Sequence, residues 1–255
     1  MKKKIKNQNS IFIILLAILF ILFASFMITK QNKQNKTLTP IYKNSGYETF
    51  RLGIDVSEHQ GTIDWKAVAN SSVDFAIIRA SYAWDDGQKD HRDQMFSENL
   101  SEAKKHGLAV GVYHYSYATN EQEALEEAKL LLSQINGTQL DYPVYYDLED
   151  ECQDDLSTEQ ITNIALTFIN EIRNAGYYAG IYINPDNIKQ LDLDQLGDVD
   201  LWIANYSLEN SYDGDYGMWQ YTCYGKVNGI EGNVDLNYCY YDYPSFIKKL
   251  HKNKN

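Results

Sequence analysis

Pro143-Val144-Tyr145-Tyr146 is an apolar, aromatic run with strand character that ends in Asp147-Leu148-Glu149-Asp150. Residues i and i+2 of a strand share a face, so Asp147 and Glu149 are predicted to project side by side. Like charges at close range raise each other's proton affinity, and burial adds to the rise. A carboxylic acid held in this way keeps its proton near neutral pH and can donate it. Glycoside hydrolysis needs such an acid for the leaving oxygen, and a second carboxylate to manage the opposite charge. Asp-x-Glu alone is a weak motif that also suits a strand ending in solvated acids, so its weight depends on its surroundings.

Eight short runs with strand character recur, at 52–56, 75–80, 109–115, 143–147, 179–183, 201–204, 218–221 and 234–236. Helical patterns separate the early ones. One spans 93–105 and stops at His106-Gly107, and another spans 120–135 before Gly137. A third opens at the capping box Ser157-Thr158-Glu159-Gln160 and runs to Ala175-Gly176. Alternation of this kind predicts a parallel sheet with right-handed crossovers, and eight strands suggest closure. The gaps shrink after residue 200. The expected fold is therefore α/β, an irregular TIM-like (β/α) barrel of eight strands with helices missing between the last ones.

Functional side chains of such barrels sit at the C-terminal strand ends. Those ends carry Asp55, Arg79-Ala80-Ser81-Tyr82, Tyr113-His114-Tyr115, Asp147 with Glu149, Tyr182, Trp202-Ile203-Ala204-Asn205-Tyr206, Trp219-Gln220 and Asp235. Four acids and a set of aromatics are thus predicted to meet at one mouth. Buried acids are rare unless paired or functional. Aromatic rings there suit the apolar faces of sugars, although many of the 21 tyrosines can simply pack.

The 255 residues suffice for one sizeable core. Residues 1–10 are basic, and 11–29 are nearly all apolar and uncharged. That is long enough to cover most of a bilayer core, and the lysine flank belongs on the cytoplasmic side. An uncleaved signal anchor and a signal peptide both fit, and no clean small-x-small cleavage site follows. Residues 30–46 read as a polar tether and 47–250 as the catalytic domain, on the outer face of the membrane or secreted. All 35 acids lie after residue 30 against 18 of the 23 basic residues, leaving that part at −17. Nucleic acid is excluded as a partner on that charge. The five histidines, His59, His91, His106, His114 and His251, are scattered without metal spacing. No metal site or cofactor is expected. Cys152, Cys223 and Cys239 are an odd set, and a Cys223–Cys239 disulfide between the last two strands is an open expectation.

Gly53-Ile54-Asp55-Val56-Ser57-Glu58-His59-Gln60-Gly61, with Ile63-Asp64-Trp65 after it, resembles the opening signature of family 25 glycoside hydrolases, the Chalaropsis-type lysozymes. Tyr113-His114-Tyr115, Tyr145-Tyr146-Asp147-Leu148-Glu149, Gly180-Ile181-Tyr182, Leu201-Trp202-Ile203-Ala204, Trp219-Gln220-Tyr221 and Val234-Asp235-Leu236-Asn237 match in the same order, over roughly residues 50 to 245. The resemblance implies an eight-stranded irregular barrel. It also implies cleavage of the β-1,4 bond between N-acetylmuramic acid and N-acetylglucosamine in peptidoglycan; no cofactor is needed for that step, and a monomer is expected. It places catalytic roles on Glu149, Asp147, Asp55 and Asp235, and substrate contacts on Tyr115, Tyr182, Trp202 and Gln220. Glu149 would be the general acid, and Asp147 would serve the 2-acetamido group. The rivals are a chitinase-like glycosidase, a silent glycan-binding module that would lack one of the acids, and a metal-dependent hydrolase using His59 or His114.

Overall fold

The computed structural model describes residues 51–83 and 91–254. Nine strands form one sheet: β1 (Arg51–Val56), β2 (Phe75–Tyr82), β3 (His91–Arg92), β4 (Ala109–Tyr115), β5 (Val144–Asp147), β6 (Ala179–Ile183), β7 (Asp200–Ala204), β8 (Met218–Gly225) and β9 (Val234–Cys239). Eight of them close a ring in the order β1-β9-β8-β7-β6-β5-β4-β2, with β2 pairing back to β1; β3 sits on the edge of β2. The eight sequence-predicted strands are these eight.

One expectation needs correction. The ring is parallel except for β9, which runs antiparallel to both β8 and β1. Only eight residues separate Gly225 from Val234. A parallel return needs a crossover of about a dozen residues or more, whereas a hairpin closes easily at this length.

The helices are α1 (Trp65–Ala69), α2 (Phe96–Lys105), α3 (Glu121–Ile135), α4 (Thr158–Asn174), α5 (Leu193–Leu196) and α6 (Tyr243–Leu250). None lies between β7 and β9. α4 shows why the sequence folds as it does. Ser157 and Gln160 cap each other's backbone as a capping box. Ile161, Ile164, Ala165, Phe168, Ile169 and Ile172 then fall on one buried stripe. α2 begins three residues later than predicted, because Asp93 turns its carboxylate to Arg79 and to the amides of Glu58 and Met95 instead of opening the helix.

Strand alternation sorts side chains into two cores. Ile54, Ile78, Val112, Tyr146, Ile181 and Ile203 face outward into the layer shared with the helices. Phe75, Ile77, Tyr145, Tyr182, Trp202 and Met218 fill the barrel. Glycines make room for the rings: a Cβ on Gly53 would lie 2.1 Å from the Phe75 ring, and one on Gly180 would lie 2.6 Å from Tyr145. The barrel is packed, not open.

Its N-terminal end is sealed. Asp200 is fully buried and accepts hydrogen bonds from the hydroxyls of Tyr145 (2.9 Å) and Tyr243 (2.5 Å). Burial pushes its carboxyl up to about 7. Asn253 closes the same end, donating from Nδ2 to the Tyr142 carbonyl and accepting from the Tyr178 amide. The mouth at the other end is left for ligand.

All three cysteines are free, so the Cys223–Cys239 disulfide does not form. Cys239 points into the barrel opposite Met218. Cys223 lies at least three residues further along the hairpin ladder, about 10 Å at strand rise and beyond disulfide reach. Among the described residues no helix is long and apolar enough to cross a membrane. The expected basic end, apolar segment and tether, residues 1–46, lie outside the described residues.

Candidate active site

The β5 ladder continues one step past the strand, where the Leu148 amide donates to the Tyr182 carbonyl at 3.1 Å. Alternation therefore persists through Glu149. Leu148 packs outward, 2% exposed, while Asp147 and Glu149 turn to the barrel mouth.

Asp55 and Asp235 arrive from β1 and β9. They are register partners across the antiparallel pair. Facing residues of such a pair hold their Cβ atoms about 5 Å apart. The reversal of β9 makes this possible, because Asp235 near the start of its strand lies level with Asp55 near the end of β1.

An amide network fixes Asp55. Its Oδ2 accepts from Gln220 Nε2 (2.9 Å) and Asn237 Nδ2 (2.8 Å). Both amide orientations are dictated by their other partners. The Asn237 carbonyl oxygen accepts from the Trp202 indole at 2.8 Å, a group that can only donate. Gln220 Oε1 accepts from the hydroxyls of Tyr182 (2.9 Å) and Tyr206 (2.7 Å). The aromatic floor thereby holds the carboxylate rigidly from below.

The acids are crowded and poorly solvated. Burial, then the charge of Asp235, raises Asp55 well above the usual carboxylate range, against the hydrogen bonds from Asn237 and Gln220. Burial, then Glu149 and Asp55, raises Asp147 likewise. Arg79 acts the other way on Asp147, though its own guanidinium is engaged by Asp93 (2.9 Å) and Glu58 (3.3 Å). Glu149 is pushed up to about 7 by burial and the charges of Asp235 and Asp150, with the Tyr182 hydroxyl opposing. Asp235 rises to about 6 through burial. Asp147 Oδ1 is buried without a hydrogen-bond partner. A buried carboxylate oxygen left bare is costly, and its lone pairs remain for something that binds.

The eight site residues read from the sequence are not equally placed. The four acids share the mouth, with Gln220 and Tyr182 directly beneath them, 2% and 5% exposed. Tyr115 lies at the rim, its hydroxyl donating to Asp150 Oδ2 at 3.1 Å. Trp202 is 1% exposed, its indole committed to Asn237 and its faces packed by Tyr113, Tyr145 and Tyr182. Almost none of its surface is open, and its indole orients Asn237. Sequence reasoning gave no individual role to Asn237 or Arg79, and counted Tyr206 only among the aromatics at the strand ends. Asn237 had a signal, since it stands two residues from Asp235 on the same strand face.

His114 is buried behind the wall, with Nδ1 2.8 Å from the Ser81 hydroxyl and Nε2 3.5 Å from Glu127. Glu127 also accepts from the Tyr146 hydroxyl at 2.6 Å, so the cluster braces the strand that carries the acids. Among the described residues no group of three or more His, Cys, Asp or Glu is arranged to hold a metal ion.

Residues 54–230 match the family described as glycosyl hydrolases family 25. The autolytic lysozyme of Clostridium acetobutylicum is 30% identical over 186 residues, which cover 72% of this chain and 54% of that protein. The chain thus spans about half the length of that relative. Among solved structures, the CTP1L endolysin superposes with a TM-score of 0.68 at 29% identity, covering 78% of this chain and 70% of its own. The modular autolysin LytC from Streptococcus pneumoniae, in complex with a synthetic peptidoglycan ligand, gives a TM-score of 0.66 at 30% identity, covering 76% and 47%.

Proposed function

The chain belongs to glycosyl hydrolase family 25, and from that premise we propose that it is a peptidoglycan hydrolase. The bond cut is the β-1,4 link between N-acetylmuramic acid and N-acetylglucosamine. The observation that carries the reading is the convergence of Asp55, Asp147, Glu149 and Asp235 at one mouth, with Glu149 pushed up to about 7.

Glu149 is the general acid. It gives its proton to the glycosidic oxygen as the bond lengthens toward an oxocarbenium-like state. Asp147 takes the 2-acetamido group, its bare Oδ1 accepting the amide N–H and steadying the positive charge that grows at the anomeric carbon. Burial and the charges of Asp235 and Asp150 favour the protonated form of Glu149, and Asp55 faces Asp235 in the same cluster. Gln220, Asn237, Tyr182 and Trp202 hold Asp55 in place.

Purified protein incubated with peptidoglycan should release glycan fragments ending in reducing N-acetylmuramic acid. Equal release from chitin would replace this reading with a chitinase-like one, and reducing N-acetylglucosamine ends from peptidoglycan would contradict it. A pH profile follows from the acid. Glu149 acts only when protonated, so kcat/KM should fall as pH rises through about 7. A profile flat from pH 6 to 9 would count against Glu149 as the proton donor.

We also place the domain outside the cytoplasm, tethered to the membrane by residues 11–29. The apolar run, its lysine flank and the absence of a clean cleavage site support this. Fractionation of expressing cells should find the intact-mass protein with the membranes. A free product beginning near residue 30 would show a signal peptide instead.

A further inference from the structure

Two aromatic walls flank the acids. One is Tyr115 with Tyr117, ring centroids 5.2 Å apart at the end of β4. The other stands across the mouth, where the loop leaving β7, three strands from β4 in the closed order of eight, carries Tyr206 and is tied to β8 through Gln220.

Tyr206 combines two properties that rarely occur together. It is 56% exposed, one of few large apolar side chains at the surface among the described residues. Yet its hydroxyl is drawn inward, donating to Gln220 Oε1 at 2.7 Å, the oxygen that also accepts from Tyr182. Gln220 in turn donates to Asp55. The hydroxyl is therefore one residue removed from a catalytic carboxylate. Asp235, Asp55 and Glu149 all lie close enough to join burial in raising it. The loop beneath is braced. The Asn205 amide donates to the Gln220 carbonyl (3.0 Å), the Trp219 indole donates to the Asn205 carbonyl (2.7 Å), and Asn205 Nδ2 reaches the Ser211 hydroxyl (2.6 Å). A ring pinned by its hydroxyl and held on a braced loop pays little entropy when a ligand covers its free surface.

We propose that Tyr206 is a sugar-stacking platform. Its ring takes the apolar face of an N-acetylhexosamine on the side of the scissile bond opposite Tyr115 and Tyr117. The glycan strand then crosses the mouth between two aromatic walls with the carboxylates under its middle. This rests on the peptidoglycan-hydrolase reading above. A positioning role, in which Tyr206 serves only to orient Gln220, is the competing account, and the hydroxyl separates the two.

The test compares Tyr206→Ala, Tyr206→Phe and Tyr206→Trp in the full chain. KM and kcat are measured on peptidoglycan. Binding of soluble, uncross-linked glycan strands is measured by calorimetry in a Glu149→Gln background. Tyr206→Ala should weaken binding and raise KM by roughly five- to tenfold, the size of one aromatic contact. Tyr206→Phe and Tyr206→Trp, which keep a ring, should retain most of the affinity, with Tyr206→Phe slowed in turnover through the loosened Gln220. Affinity of the Tyr206→Ala, Glu149→Gln double variant equal to that of Glu149→Gln alone overturns the platform, provided the wild-type protein cuts peptidoglycan. Equal loss of affinity in Tyr206→Phe and Tyr206→Ala overturns it too, in favour of positioning. A wild-type protein that neither cuts nor binds peptidoglycan removes the parent reading and the platform together. Melting temperatures of all three variants guard against misfolding.

Discussion

Glu149→Gln should fold normally and turn over peptidoglycan about 10²–10⁴-fold more slowly, the range that general acid catalysis supplies. Glutamine keeps the size and the hydrogen-bonding reach of the side chain but has no acidic proton. The loss should fall on kcat, because the groove that binds glycan is unchanged. Stability should hold or improve. Glu149 is buried beside Asp147, Asp150 and Asp235, and removing an ionisable group from that cluster relieves repulsion. The falling limb of the pH profile near pH 7 should vanish from whatever activity remains. A folded Glu149→Gln protein with near-normal turnover would move the acid role to Asp55 or Asp235.

Asp147→Asn should be comparably crippled, by about 10²–10³-fold, for a different reason. Here the proton is still available, but the charge beside the developing cation is gone. The amide also offers an N–H where Oδ1 would accept the acetamido N–H. Loss of kcat with the melting temperature held is the signature that a purely structural role for Asp147 would not produce. The double variant should be little worse than either single one, since the two carboxylates act as a unit. Fully multiplicative losses would mean that they work independently.

Much of this site was legible before any coordinates. Short apolar runs marked every strand of the ring, and the two-residue period of a strand put Asp147 and Glu149 onto one face. The C-terminal strand ends then collected Asp55, Asp147 and Glu149, while Asp235 reaches the same mouth from the start of the reversed β9. What was not legible depended on depth and direction. Trp202 and Tyr182 are both aromatic residues near strand ends, and nothing local distinguishes a buried floor from a ligand-facing wall. The indole's partner, Asn237, lies 35 residues away. The reversal of β9 did have a trace, since eight residues are too few for a crossover. Tyr206 showed only as one aromatic among those at the strand ends. It sits on a loop whose path is set by tertiary hydrogen bonds to Trp219 and Gln220.

The pairing of β9 with β1 has a kinetic consequence. Asp55 meets Asn237 across 182 residues of chain and Gln220 across 165. Contacts of such separation close the largest loops and form slowly. The parallel run from β2 to β8 joins strands that are near one another in sequence and can assemble first. The ring closes only when the last strand doubles back and docks on the first. Until that event Asp55 lacks both of its amide donors and its facing carboxylate. An unfolded or half-folded chain carries the four acids but no active site. Hydrolytic competence should therefore appear in step with the final, slowest phase of refolding, and not with the earlier gain of helix.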